Sequence, residues 1–304
     1  MKEKKATLLN TENTIPQRIN WFPGHMAKAL RKVKEKVGNV DLIIEVRDAR
    51  IPLTSGNSSI HEIIGNKPRL IVLNKSNLAE EENIQRWKKW FSDKKQAAVF
   101  INSMESRSLR QLTKEARKMM RGKWESFKKK GIRPPPLRMM ILGIPNTGKS
   151  TIINRLTKRN AVKTGDCPGV TRSQDWIVLD KDLELLDTPG IMPPRIETEE
   201  QGMWLCAVHA IKDEIVGKEK VAIYIVSHLM VKESAELKSK YRLKNLDCSA
   251  EELLLEIGTC LNFKKLRGEI DLAKTSSQVL IDFRKGALGG CSFEMPPEIW
   301  EDGI

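Results

Sequence analysis

Gly143-Ile-Pro-Asn-Thr-Gly148-Lys149-Ser150-Thr151 has two glycines, a lysine and a pair of hydroxyls at the spacing of a phosphate-binding loop. In such a loop, backbone N–H groups and the N-terminus of the next helix cradle the β-phosphate. A lysine neutralises β/γ charge and a hydroxyl ligates Mg2+. Lys149 and Ser150 fill those two places, with Asn146, Thr147, Gly148 and Thr151 beside them. Further on, Asp187-Thr-Pro-Gly190 offers an aspartate that can hold Mg2+ through water. Its glycine N–H can approach a γ-phosphate closely. Alone, D-x-x-G is more often a turn. Between the two motifs, Gly165-Asp-Cys-Pro-Gly169-Val-Thr171 supplies a threonine able to complete the Mg2+ shell. Taken in order, the three stretches form a phosphate and switch apparatus.

Base recognition has to come from upstream. Leu73-Asn74-Lys75-Ser76-Asn77 ends one apolar run and Ile101-Asn102-Ser103 ends the next. They look like the guanine-reading N-K-x-D element and its companion S-A-type loop. The order is therefore base-reading, linker, phosphate loop, switches.

Stepping from these residues to the elements that must hold them, short β-branched runs recur at 42–46, 70–73, 97–101, 139–142, 176–179 and 183–186. Amphipathic helical patterns at 27–37, 80–91 and 109–120 separate most of them, which predicts a largely parallel α/β sheet. The phosphate loop follows the run at 139–142 and precedes the helical pattern at 152–156, the strand–loop–helix context it requires. The last two runs are separated only by Asp180-Lys181-Asp182, which reads as a hairpin. Residues 122–138 are basic and closed by three prolines, and are expected to be an extended, non-helical linker. After Pro193-Pro194 the pattern turns helical, placing a boundary near residue 196. The expected units are a tail at 1–15, a domain at 16–196 and a helical domain at 197–304. Within the middle unit, 40–121 reads the base, 122–138 links, and 139–195 holds the phosphates and switches.

Residues 1–140 carry a net charge of +17 and residues 141–304 a net −3. A basic first half points to a polyanionic partner, nucleic acid ahead of membrane, the alternative being a merely solvated basic surface. Five scattered cysteines with no C-x-x-C pair argue against a disulfide framework or a structural zinc site and fit a reducing compartment. Cys206 and His209 form a C-x-x-H expected to be core packing. The apolar run at 221–231 is too short to span a bilayer. The first residues have neither the apolar core of a signal peptide nor the Arg-rich character of a transit peptide. The expected location is the cytoplasm.

The rotated motif order resembles that of the circularly permuted GTPases. More narrowly, the chain is similar to the ribosome biogenesis GTPase A (YlqF/RbgA) family and its mitochondrial counterpart. The resemblance rests on Trp21-Phe-Pro-Gly-His25-Met-Ala-Lys28 and Glu45-Val-Arg-Asp-Ala-Arg-Ile-Pro52. It continues through the nucleotide motifs, Thr188-Pro-Gly-Ile-Met-Pro-Pro-Arg195, and Asp282-Phe-Arg-Lys-Gly286. It implies a circularly permuted P-loop GTPase domain followed by a C-terminal helical domain. It also implies GTP hydrolysis coupled to maturation of the large ribosomal subunit, with GTP/GDP, rRNA and ribosomal proteins as partners and a monomer as the working form. The helical half is not basic overall, so rRNA contact there must come from a local patch.

Where many GTPases carry a water-orienting Gln just after D-x-x-G, this chain has Ile191, which cannot hydrogen-bond to water. The resemblance makes His25 the candidate replacement, since a histidine can position a water near neutral pH. The alternative is a histidine that fixes a loop before the first helix. Asn146 resembles the phosphate-loop asparagine that holds K+ in related GTPases, or else is an ordinary polar loop residue. Trp87 and Trp90 on a Lys-rich helix are expected to share one buried face rather than to stack on bases. Asp48 and Arg50 receive no sharper role than a structural or ribosome-facing one. The same motifs also suit a nucleotide-gated RNA-binding module with negligible turnover, or a tRNA-modification GTPase. The latter lacks a second catalytic motif.

Asn77 stands where N-K-x-D carries aspartate. A carboxylate there accepts from both guanine N1–H and the 2-amino group. An asparagine can accept from N1–H, but its NH2 then meets the 2-amino donor, and xanthine would suit it better. GTP remains the expected substrate, with affinity reduced by about 1–3 kcal/mol, the scale of an unsatisfied polar group. Asn77→Asp should tighten GTP and GDP binding and disfavour xanthosine nucleotides, as measured by GDP, XDP and ADP affinities of both forms. Equal GDP affinity would mean that another group replaces the carboxylate, and tighter ADP than GDP would overturn the guanine reading.

Overall fold

The computed structural model describes residues 24–157, 176–188, 190–192 and 196–297. The chain runs α1 (Gly24–Lys36), β1 (Leu42–Asp48), α2 (Ser58–Ile64), β2 (Arg69–Asn74), α3 (Glu81–Asp93), β3 (Ala98–Phe100) and α4 (Ser106–Lys129). It continues through β4 (Leu137–Leu142), α5 (Lys149–Thr157), β5 (Trp176–Asp180), β6 (Leu183–Leu186), α6 (Glu199–Ala207), α7 (Lys218–Val231), α8 (Ala235–Tyr241), α9 (Ala250–Cys260) and α10 (Leu272–Arg284).

The six strands form one sheet in the order β3-β2-β1-β4-β6-β5. All neighbours are parallel except β5 and β6, the expected hairpin. Arg117 of α4 fastens that hairpin: its Nε donates to Asp182 Oδ2 and its Nη2 to Asp180 Oδ2, each at 2.9 Å. From β1 the chain builds outward through β2 and β3, then returns beside β1 with β4 and builds the other way. The strand order therefore switches at the β1/β4 junction, which opens a crevice outside the carboxyl ends of those strands. In register, Asp48 lies opposite Asn74, and Glu45 opposite Leu142. The ends of β1, β2, β4 and β6 thus deliver Asp48, Asn74, Gly143 and Asp187 to one edge of the sheet.

Strand alternation sends the sheet's side chains to two faces. Leu42, Ile44, Val46 and Ile141 pack with Leu109, Leu112 and Ala116 of α4 and Ile152 and Ile153 of α5. Ile43, Met140 and Leu142 face the other way, against Ala29 and Val33 of α1 and Ile60 of α2. All of β1 is buried, as befits a central parallel strand covered on both faces. On α3, Trp87 is fully buried and Trp90 partly so, edge-on to it with ring centroids 5.3 Å apart; the pair forms one packed face, as expected.

The basic stretch at 122–138 departs from expectation. Its first eight residues continue α4 to Lys129, and only residues 132–136 are without regular structure before β4 begins. Gly122 is absorbed within the helix, no proline precedes Gly131, and Trp124 still packs on the sheet's core, so the amphipathic stripe carries the helix onward. The helix closes where Gly131 takes φ +70°. Ile132 N–H then reaches Phe127 O and Gly131 N–H reaches Lys128 O, the two bonds of a Schellman stop.

Beyond residue 196 the regular elements of the described chain are helices, with an isolated bridge between Lys264 and Ile270. α7, α9 and α10 share a core with Ile51, Ile144 and Met192 of the sheet half, so apolar packing crosses the boundary near 196. The segment after α10 then returns to the first half of the chain. Cys291 N–H donates to Leu78 O (2.9 Å) and Phe293 N–H to Arg50 O (3.0 Å). The Glu294 carboxylate accepts from Leu53 N (2.7 Å) and Thr54 N (2.8 Å), and its carbonyl from Asn83 Nδ2 (2.8 Å) and Trp87 Nε1 (3.2 Å). No motif in the sequence announces this strap.

Candidate nucleotide-binding site

The phosphate loop leaves β4 and ends in the first turn of α5, so the helix N-terminus and the loop amides share one concavity. Its glycines are sterically required. A Cβ on Gly143 (φ +148°) would stand 2.2 Å from Val46 O, and one on Gly148 (φ +97°) 2.2 Å from Asn74 Nδ2. Asn146, at φ +59°, supplies a left-handed turn that asparagine tolerates. Thr147 is buried and closes the loop through Oγ1 to Ile144 O (3.0 Å).

Lys149 folds back onto this loop, donating to Gly143 O (3.0 Å) and Ile144 O (2.8 Å). Burial lowers its pKa to about 8, against the pull of Asp187. Asp187 is its counterpart: burial raises its pKa to about 6, with Lys149 drawing it down. Both carboxylate oxygens of Asp187 are buried without a hydrogen-bond donor. An orphaned buried carboxylate facing Lys149, with the half-buried Ser150 next to that lysine in the first turn of α5, is a donor set that fits a hard divalent cation. Thr171 lies outside the described residues.

The loop after Asp187 is pinned onto the phosphate loop. Ile191 N–H donates to Gly143 O (3.1 Å), Thr188 Oγ1 to Ile141 O (2.6 Å), and a Cβ on Gly190 would come within 2.9 Å of Pro145 N. Ile191 itself is fully buried in the apolar cluster that contains Ala29 and Val33 of α1. It points into the core, away from any water. His25 sits in the first turn of α1; its side chain lies outside the described residues.

On the base side, Asn74 joins three segments. Its Nδ2 donates to Thr147 O (2.8 Å) and its Oδ1 accepts from Ser103 N–H (3.0 Å). Ser76 N–H donates to Ile101 O (3.0 Å), which aligns the two loops. Lys75 takes φ +60°, and its ammonium lies 3.1 Å from Asp48 Oδ2. Asn77 is exposed at the loop's outer end. Asn102 uses its side chain within its own loop, accepting from Met104 N–H and donating to Glu105, both at 3.0 Å. Asn74, Lys75, Ser103, Asn146, Thr147, Gly148, Lys149 and Asp187 therefore converge on one edge of the sheet.

The match of a family model, 50S ribosome-binding GTPase, covers residues 138–256. Ribosome biogenesis GTPase A of Bacillus cereus is 43% identical over 283 residues, covering 93% of this chain and 96% of that protein. The chain belongs to the ribosome biogenesis GTPase A family. Mitochondrial ribosome-associated GTPase 1 of Mus musculus is 36% identical over 215 residues, 68% of this chain and 65% of its own. The crystal structure of GNP-bound YlqF from T. maritima superposes with a TM-score of 0.61 at 25% identity, covering 90% of this chain and all of that one. The sheet, its mostly parallel order and the helices that follow are those of this GTPase family.

In this family member the helical half also reaches the phosphate loop. Asn146 Nδ2 donates to the backbone oxygen of His209 (2.7 Å), in the turn after α6. Arg284 of α10 holds that turn, donating to Cys206 O (2.7 Å), Ala207 O (3.1 Å) and Asp213 Oδ2 (3.1 Å). Cys206 is buried in the core and His209 Nδ1 lies 3.6 Å from Asp213, so the C-x-x-H pair is part of a turn. Among the described residues no group of His, Cys, Asp and Glu is arranged to hold a metal by itself. His209, Asp213 and Arg284 are the functional neighbours that motif reading missed, and only the D-F-R-K-G stretch carried a hint of one of them.

Burial would raise the Asp213 carboxyl, but the His209 ring beside it and the hydrogen-bonded Arg284 guanidinium outweigh it and hold the pKa near 2. A carboxylate depressed below its unfolded value of 3.8 contributes stability above that value, and the contribution is lost as pH falls toward 2. Between pH 5 and pH 2, wild type should lose about 2 kcal/mol more stability than Asp213→Asn, measured by urea unfolding. Parallel acid limbs would show that Asp213 is not charged in the folded protein.

Proposed function

We propose that this chain is a GTP hydrolase that acts as an assembly factor in maturation of the large (50S) ribosomal subunit, binding rRNA in a nucleotide-dependent manner. The observation that carries the proposal is 43% identity to a ribosome biogenesis GTPase A over nearly the whole length of both, on a chain whose phosphate-loop and base-reading residues meet at one sheet edge. The working form is a cytoplasmic monomer, with residues 16–196 as the GTPase unit and 197–304 as a helical unit. Among the described residues no helix is long and apolar enough to cross a membrane.

Lys149 and the amides of Gly148 to Thr151 bind the phosphates, and Gly190 approaches the γ-phosphate. Asn74, Lys75, Ser76, Asn77, Asn102 and Ser103 frame the base. Ser150, Thr171 and Asp187 would hold Mg2+, which when bound supplies positive charge against the β- and γ-phosphates. Asn146 spends its NH2 on His209 and keeps its oxygen for K+, the second cation of this reading. With Ile191 buried, the attacking water must be oriented from elsewhere. α1, whose first turn carries His25, packs through Ala29 and Val33 in the same apolar cluster as Ile191, which supports this reading.

The basic half has a matching surface. Arg107, Arg110, Lys114, Lys118, Arg121, Lys128 and Lys129 are exposed along α4, with Lys130 exposed just after it, suited to a phosphate backbone. Protein loaded with a non-hydrolysable GTP analogue should cosediment with large subunits, GDP-loaded protein should not, and binding should fall steeply with added salt. Equal sedimentation in both states would remove the nucleotide-gated part of the proposal, and a flat salt response would move the contact onto ribosomal protein. His25→Ala should retain GTP binding while losing roughly 10²-fold in turnover, the scale of a positioned acid/base group. Undiminished multiple-turnover hydrolysis would make His25 structural. No turnover in wild type, with or without subunits and K+, would favour the binding module.

A further inference from the structure

Asp48-Ala49-Arg50 ends β1 at the point where the strand order switches, and the phosphate and switch chemistry leaves it without a role. Asp48 is 1% exposed. Arg50 grips it with Nε to Oδ1 (2.9 Å), Nη2 to Oδ2 (2.8 Å) and its own backbone N–H to Oδ1 (3.1 Å). That pair is already charge-neutral and bidentate, so the fold needs nothing more from Asp48. Yet a second cation, the Lys75 ammonium, lies 3.1 Å from the same Oδ2. Burial would raise the carboxyl's pKa, but Arg50 and Lys75 hold it well below the usual carboxylate range. Lys75 belongs to the base-reading loop, between Asn74, which struts the phosphate loop, and Asn77 at the outer end.

We propose that Asp48 is a positioning residue for base recognition. It draws the Lys75 ammonium to the carboxyl end of β1 and thereby fixes the path of the lysine's alkyl chain along the base site, while Arg50 locks the Asp48 carboxylate. Arg50 is itself set from the helical half. It is 1% exposed, its guanidinium carbon lies 5.3 Å from the Phe283 ring centre, and its carbonyl accepts from Phe293 N–H. The base loop thus has a rigid anchor outside its own sequence, in a chain whose Asn77 weakens the usual carboxylate contact to guanine.

The proposal rests on the guanine-site reading, and a double-mutant cycle on nucleotide affinity separates the two. Asp48→Asn should weaken GDP and a non-hydrolysable GTP analogue alike, by about tenfold, the scale of one charge-assisted bond, because the effect lies on the base side. Lys75→Met keeps the alkyl chain without the ammonium, and in that background Asp48→Asn should cost less than twofold. Arg50→Lys, which keeps the charge but loses the two-oxygen grip, should give about a threefold loss that also vanishes with Lys75→Met. This second cycle decides the matter if Asp48→Asn fails to fold. Additive losses, or wild-type affinity in Asp48→Asn, would overturn the role of Asp48 in a protein that still prefers GDP to ADP. Loss of that preference in wild type itself would remove the guanine reading, and the proposal with it.

Discussion

The Asn74 amide is the interaction on which the site depends. It donates to Thr147 O across 73 residues of chain and accepts from Ser103 N–H, so one buried side chain ties the base-reading loops to the phosphate loop. In this rotated chain the base-reading half precedes the phosphate half, and α4 and the prolines before β4 separate them in sequence. Beyond that connection, the pairing of β1 with β4, the apolar core shared by α4 and α5 and side-chain bonds of this kind set their relative position. A mismatch of 1 Å between base and phosphate subsites would be felt directly in binding geometry. The buried amide with both functions satisfied is well suited to prevent it, since leaving either unpaired costs about 1–3 kcal/mol.

Sheet topology supplies the other half of the constraint. Because β1 sits between β2 and β4, the loops after β1, β2, β4 and β6 open on one edge. The charged residues there would repel or be stranded if buried singly. Lys149 faces Asp187, and Lys75 and Arg50 face Asp48, so each buried charge has a partner of opposite sign nearby. The pairs differ in kind. Asp48 is fully hydrogen-bonded and acidic, whereas both oxygens of Asp187 lack donors and its pKa is raised to about 6. The first arrangement is complete without ligand; the second is suited to a cation.

Much of this was legible in the chain. Strand runs bounded by glycine, proline and the nucleotide motifs stand where expected, because a central parallel strand buried on both faces is rich in β-branched and aliphatic residues even where, as at Glu45 in β1, a charged residue interrupts it. The hairpin of β5 and β6 followed from the three polar residues between them. Beyond residue 121 the charge density of α4 resembles a linker, whereas Trp124 keeps an apolar anchor and the helix stops at Gly131. The strap at 291–294 was invisible for a different reason. It bonds mainly through backbone groups and one carboxylate, which leave no periodicity in sequence. Asn102 and Asn74 look alike as strand-end asparagines, yet one caps its own loop and the other joins three; which neighbour each meets is a matter of tertiary packing.

The helical half holds both ends of the site through consecutive residues of one helix. Phe283 packs under Arg50, which locks Asp48 on the base side. Arg284 clamps the turn whose His209 carbonyl receives Asn146 of the phosphate loop. α10 is a regular helix packed against α7 and α9, so these two residues cannot move independently of that core. A shift of α10 by even part of a turn would withdraw the ring from Arg50 and the guanidinium from Cys206 and Ala207 together. Side chains in a packed core exchange between discrete arrangements rather than deform smoothly. The base and phosphate sides of the site are therefore coupled to the same rigid element, which turns the apolar boundary between the two halves into part of the nucleotide site's own support.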